Sequence, residues 1–326
     1  MNKIAHFIAH SKAATIVAAL LCVFIWGYTF IQSDVGGWHM MLSLFHFIVY
    51  AFAGILLIRI NSKFAGDSQK ITLPSTLFFM CCAIIPHWAV WLPGTILLVL
   101  MVVAISILLH TYRDLQSMGS YFVAFALLSA GSLYVPQLLF LIPVLLLCCG
   151  FMQSLNLRAM FAALLGVLLP YWTAFCVLFL ADDTQRIQPF IELLTGEYSH
   201  VFIPLTLPFG EGGNFVLPAI VIQVIWTSLL VLPAVVHLLL AVKSKMQARV
   251  ALLFQTVFVL VLMIFSLIFP SLYKSLQPII VSLSAIIGST LFTDRMSRGK
   301  SIWLMMLLLL WLFIVLLYLW NSFSIS

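Results

Sequence analysis

The sequence predicts an all-α, polytopic integral membrane bundle of about eleven transmembrane helices, with the N-terminus inside and the C-terminus outside. Three observations predict it. Charged residues make up 7% of the 326 positions, against about 25% in a soluble domain, so lipid solvates most of the chain. Apolar runs of about 17–25 residues, each long enough to cross a bilayer as helix, recur from end to end. The basic residues also divide unequally between the two sets of loops that this threading creates. No polar stretch is long enough to bury a core of its own, so residues 1–326 read as a single transmembrane domain.

The first run lies near 13–31, behind Lys3 and Lys12. It closes on Thr29-Phe30-Ile31-Gln32-Ser33, which is no small-residue cleavage site, so it reads as a retained anchor. The second run is near 40–58. The region 73–110 is broken by Pro86 and by Trp91-Leu92-Pro93-Gly94 and reads as two short helices with an outer turn. The region 119–150 splits in the same way at Tyr134-Val135-Pro136. A proline pushes the residue before it out of helical geometry, which gives both breaks a mechanism. Further spans lie near 159–180, 215–241, 250–269, 276–293 and 302–320.

Charge orients the bundle. With the N-terminus inside, the inner loops hold Lys3, Lys12, Arg59, Lys63, Lys70, Arg113, Arg158, Lys243, Lys245, Arg249, Arg295, Arg298 and Lys300. The outer loops hold Arg186 and Lys274. Thirteen against two is a strong positive-inside bias, and an error of one helix would mix the sets. Basic residues scattered in this way form no nucleic-acid surface. Asp67, Asp114 and Asp294 fall inside beside Arg or Lys, where solvated pairs are worth little. The six cysteines all lie in apolar runs without a C-x-x-C pair, so they read as small buried hydrophobes rather than zinc or redox ligands. Walker, Rossmann, H-E-x-x-H, G-x-S-x-G and G-x-x-x-G patterns are all missing from the chain.

The remaining carboxylates gather outside: Asp34, Asp182, Asp183, Glu192, Glu197 and Glu211. Most of them belong to the stretch 181–213, the longest segment that cannot continue as an apolar span. Within it Ile187, Phe190, Ile191, Leu193 and Leu194 alternate with polar residues, as in a short helix lying along the interface. Pro204, Pro208, Gly210, Gly212 and Gly213 make a turn before the next span. The segment reads either as a lid over an outer site or as a packing connection.

One helix face carries candidate chemistry. His39, Ser43, His46, Tyr50 and Gly54 recur at steps of three or four, which aligns them along the second span. From His39 to Tyr50 the stripe is about 16 Å long. Polar groups at membrane depth face the bundle interior or a wet cavity, and Asp34 lies just ahead of them. The stripe either lines an outward cavity or serves interhelical hydrogen bonds. His87, in Ile85-Pro86-His87-Trp88, and His200, after Tyr198-Ser199, are outer residues that can join such a cavity or anchor the interface. Three outer histidines with Asp34 and Glu197 have zinc-compatible chemistry, but their spacing does not call for a metal, and the sequence names no cofactor. Gln223, His237 and Gln255 read as isolated interhelical bonds. His110-Thr111-Tyr112-Arg113-Asp114 reads as an interfacial cluster, either a solvated boundary or a contact for lipid phosphate.

A first helix leading to an outer Asp34 is followed by the short paired helices Ser120-Tyr121-Phe122 to Ser132-Leu133-Tyr134-Val135-Pro136 and Leu141-Ile142-Pro143. Arg158 and the span ending Leu169-Pro170-Tyr171 come next. Over residues 13–180 this layout resembles the membrane half of the glycosyltransferase C superfamily, and a group of polytopic inner-membrane proteins of Bacteroidetes. The resemblance implies a multi-pass protein of the bacterial inner membrane that handles a polyprenyl-phosphate-linked sugar at the outer face. Asp34 would be its base or metal ligand, a single Asp where the superfamily has an acidic pair. His39, His46, Tyr50, His87, Glu197 and His200 would be the substrate-binding candidates. The alternatives are a transporter or lipid flippase, and a non-catalytic membrane subunit of an envelope complex. The expected partners are membrane lipids, the lipid-linked substrate and a membrane-complex partner, with no nucleic acid.

Overall fold

The computed structural model describes residues 11–32, 37–64, 72–84, 92–180, 216–240, 246–268, 272–292 and 298–325. Among these it is all-helical. In chain order the α-helices are α1 (Lys12–Gln32), α2 (Gly37–Phe64), α3 (Leu73–Ile84), α4 (Leu92–Leu109), α5 (Met118–Ser132), α6 (Leu141–Gly150), α7 (Leu157–Leu180), α8 (Val216–Leu240), α9 (Met246–Ile268), α10 (Tyr273–Thr290) and α11 (Arg298–Ile325). A 3₁₀ turn, Pro136–Phe140, leads into α6. Helix α3 ends before Pro86 and α5 ends before Pro136, as expected, whereas Leu92-Pro93-Gly94, expected in the break, form the first turn of α4.

Five of the described helices are long and apolar enough to cross a membrane: Met41–Asn61 in α2, Leu92–Leu109, Leu157–Leu180, Met246–Ser266 in α9 and Gly299–Leu316 in α11. The others have shorter apolar cores, such as Leu73–Ala83 in α3 and Ser275–Thr290 in α10. A helical bundle with five such helices is compatible with a multi-pass membrane architecture.

Burial inverts the usual order of a soluble protein. Helix α10 contacts α2, α3, α4, α8 and α9, and every side chain from Ser275 to Ser289 is buried. Yet it carries Ser275, Gln277, Ser282, Ser284 and Ser289. Most of its serines satisfy themselves: Ser282, Ser284 and Ser289 donate to carbonyls three residues back, at 2.8, 2.9 and 2.7 Å. A hydroxyl bonded to its own helix costs little in an apolar interior, and its small volume admits neighbours. Gly288 shows how close they come, since a Cβ there would lie 2.8 Å from Leu230 Cδ2.

Helix α7 sits at the other extreme. It packs on α5 through a narrow seam of Ala159, Ala163 and Gly166, all buried. A Cβ at Gly166 would overlap Phe122 O and lie 3.1 Å from Ala126 N, so the two backbones touch. Ser129 donates to Val167 O at 2.6 Å, and Ser132 shares a 2.6 Å bond with the Tyr171 hydroxyl. Small residues and hydroxyl bonds are what join helices in lipid, where burial against another helix brings no hydrophobic gain. The close approach needs no G-x-x-x-G. Leu164, Leu165, Leu168 and Trp172 are exposed on α7, the surface expected of a helix solvated by acyl chains.

Candidate functional site: a buried polar centre on α2

Helix α2 runs unbroken through the predicted stripe, so the three- and four-residue steps fall on one face. His46, Tyr50 and Gly54 are buried and Ser43 is half-buried. Phe45, Ile48, Phe52 and Ile55 point outward from the same helix. The stripe therefore faces the bundle interior.

His46 Nδ1 shares a 2.8 Å hydrogen bond with Thr95 Oγ1, from the first turn of α4. Tyr50, one turn further along α2, brings its hydroxyl near Thr95 without reaching hydrogen-bond geometry. Aromatic rings wall the pair in. Trp26 of α1 meets Tyr50 edge-on at 5.4 Å and Phe47 at 6.2 Å, and Phe78 of α3 stacks on Tyr50 at 5.7 Å. Below Tyr50, Gly54 permits the approach of α3: a Cβ there would lie 2.8 Å from Ser75 Oγ and 3.1 Å from the Phe79 ring.

His46 is 0% exposed and Tyr50 1%, yet His46 Nε2 and the Tyr50 hydroxyl have no hydrogen-bond partner. A buried polar atom left unpaired costs about 1–3 kcal/mol, and such atoms call for an explanation such as a bound water, ion or ligand. Two of them on adjacent turns of one helix face mark this as the candidate site. It offers an imidazole, two hydroxyls and aromatic faces. Asp114, the one carboxylate among the described residues, lies beyond the far end of α4.

The centre rests on α3, buried from Thr72 to Ala83. Three indole N–H groups from three other helices converge on consecutive residues near its C-terminus. Trp26 of α1 donates to Cys82 O at 3.2 Å, Trp226 of α8 to Cys81 Sγ, and Trp311 of α11 to Met80 O at 2.7 Å. The Cys82 carbonyl is one of the last of α3, which lack intrahelical donors, and an apolar interior has no water to replace them. All six cysteines are free thiols; five are buried and Cys176 is half-buried.

His39 lies in the first turn of α2, and its side chain is outside the described set. Asp34, His87, Glu197, His200 and the whole 181–213 segment also lie outside the described residues. Among the described residues no three His, Cys, Asp or Glu side chains are placed to hold a metal ion. Sequence reasoning missed Thr95 and the three tryptophans. The available signal was Pro86: it has no N–H, so the Cys82 carbonyl four residues earlier needs another donor. No family model, curated protein or solved structure matches this chain.

Proposed function

We propose that this chain is a multi-pass membrane protein that handles a lipid-linked substrate, in the manner of a glycosyltransferase, at the end of the bundle where α1 leads into α2. One observation carries the reading: His46 Nε2 and the Tyr50 hydroxyl are buried with unspent hydrogen-bonding capacity, on the helix that follows Asp34 in the chain. In this reading they orient hydroxyl or phosphate oxygens of a polyprenyl-phosphate-linked sugar. The Asp34 carboxylate takes the proton from the acceptor hydroxyl as it attacks the sugar carbon, and the polyprenyl phosphate leaves. Residues 181–213 close the site, and the setting is the outer face of the bacterial inner membrane. The test is an Asp34→Asn variant at equal membrane level, with lipid-linked glycans read by mass spectrometry. An unchanged glycan profile removes the catalytic role.

A second reading is a non-catalytic subunit of an envelope complex. It is favoured by the self-bonded serines of α10, which leave little polar capacity in the middle of the bundle. Co-purification with a stable partner, together with full function of a His46→Leu, Asp34→Asn double variant, would select it.

A further inference from the structure

The two loops that follow α4 and α6 lock together at one end of the bundle. Arg113 and Gln153 both adopt left-handed backbone geometry, with φ of 56° and 55°, uncommon for bulky residues. The Arg113 N–H donates to Met152 O at 3.1 Å, and Arg113 Nε donates to Gln153 Oε1 at 3.1 Å. The guanidinium lies over the Tyr112 ring at 5.4 Å. Beneath it Thr111, Ser154 and Tyr121 are buried and joined by hydroxyl bonds of 3.2 and 2.7 Å. Asn156 ties the second loop to Leu115 O at 2.9 Å.

The guanidinium is thus held at its Nε edge and across its face, while its two terminal nitrogens take no partner among the described residues. Neighbouring Asp114 makes no ion pair with it among the described residues; its Oδ1 instead accepts the Gln116 N–H at 3.0 Å. Arg158 is exposed in the first turn of α7 at the same end. The surroundings are not those of a loop in water: Leu115 is 60% exposed, Phe151 43% and Leu157 74%. A fixed cationic fork rimmed by bare apolar side chains matches the boundary between headgroups and acyl chains.

We propose that Arg113 is a binding site for the phosphodiester of an anionic membrane phospholipid. Its planar fork pairs with two phosphate oxygens at once, and Leu115, Phe151 and Leu157 rest among the upper acyl carbons. A free phosphate ion would gain nothing from those three side chains, which is why the lipid is favoured over a soluble anion. This site is independent of the function proposed for the His46 centre.

The test uses the full chain, purified in neutral detergent with equal added phosphatidylglycerol and phosphatidylcholine, and native mass spectrometry of what it retains. Wild type is expected to retain phosphatidylglycerol preferentially. Arg113→Gln lowers that retention roughly fivefold, the scale of one basic residue at an anionic surface. Arg113→Lys falls well below wild type because an ammonium has no fork, and Leu115→Ser, with Arg113 intact, also lowers retention. Millimolar inorganic phosphate leaves the lipid bound. The proposal is overturned by an unselective wild type, by Arg113→Gln or Arg113→Lys retaining as wild type does, by an unaffected Leu115→Ser, or by displacement with inorganic phosphate.

Discussion

The Trp26 indole donates to the Cys82 carbonyl across 3.2 Å, and the chain explains why that carbonyl is free. The N–H that would bond to it in a continuing helix belongs to residue 86, a proline with no N–H to give. Trp26→Phe keeps a ring against Phe47 and Tyr50 but withdraws the donor. It is expected to cost about 1–3 kcal/mol, read as a lower midpoint of thermal unfolding in detergent. Trp172→Phe, on the exposed face of α7, changes stability by less than about 0.5 kcal/mol. Equal effects at the two positions would show that the Cys82 bond contributes nothing.

Thr95 and Tyr50 should respond with opposite signs. Thr95→Val strips His46 of its 2.8 Å partner and leaves both ring nitrogens unpaired, at a cost of about 1–3 kcal/mol. Tyr50→Phe deletes a hydroxyl that has no partner and keeps the stack on Phe78, so stability holds or rises. If the centre binds substrate, the same Tyr50→Phe protein loses activity while gaining stability. A Tyr50→Phe variant that melts early would show that the hydroxyl is already satisfied.

Two glycines separate close packing from open space. Gly166→Ala forces a methyl against the Phe122 carbonyl and the Ala126 nitrogen, with a penalty of about 1–3 kcal/mol as α5 and α7 are pushed apart. Gly27→Ala meets nothing within 4 Å and gains up to about 1 kcal/mol of helix propensity. Unfolding midpoints of the two variants should move in opposite directions, and a shared direction would contradict the seam.

Membrane threading is open to a direct check. The loops around Leu115 and Gln153 are tied together by the Arg113 to Met152 backbone bond, so reporter tags inserted at either place must read the same compartment. The positive-inside bias predicts the cytosol for that compartment. Leu168→Arg places a charge in the middle of α7, at about 2.5–3.5 kcal/mol on insertion scales, and should lower the amount of membrane-integrated protein. A tag at 115 and a tag at 153 that report opposite sides would break the arrangement.

Much of the scaffold was legible because lipid imposes few choices. A run of apolar residues is helix, and Pro86 and Pro136 stop it at the places where α3 and α5 end. The His46–Tyr50 face was legible because a helix converts steps of three and four into a line. Its partner Thr95 was not, because a lone threonine near Pro93 looks like any other helix start, and only the tertiary fold brings α4 beside α2. The Ala159, Ala163 and Gly166 seam escaped a search for glycine pairs because alanine serves the same steric purpose. Hydropathy also gave no hint that α10 is central. Its serines weaken the apolar signal, while their back-bonds to Ile279, Val281 and Ile286 make them tolerable deep inside.

Helix α10 occupies the middle of the bundle but follows in the chain all five helices that it holds together, α2, α3, α4, α8 and α9. Until it arrives, α2, α3, α4, α8 and α9 surround an unfilled slot. Synthesis must therefore pass Tyr273 before the architecture can close, and an arrest ahead of it leaves a hollow intermediate exposed to membrane quality control. Assembly of this protein should be governed by the arrival of α10, so that damage to that one helix empties the centre rather than trimming an edge.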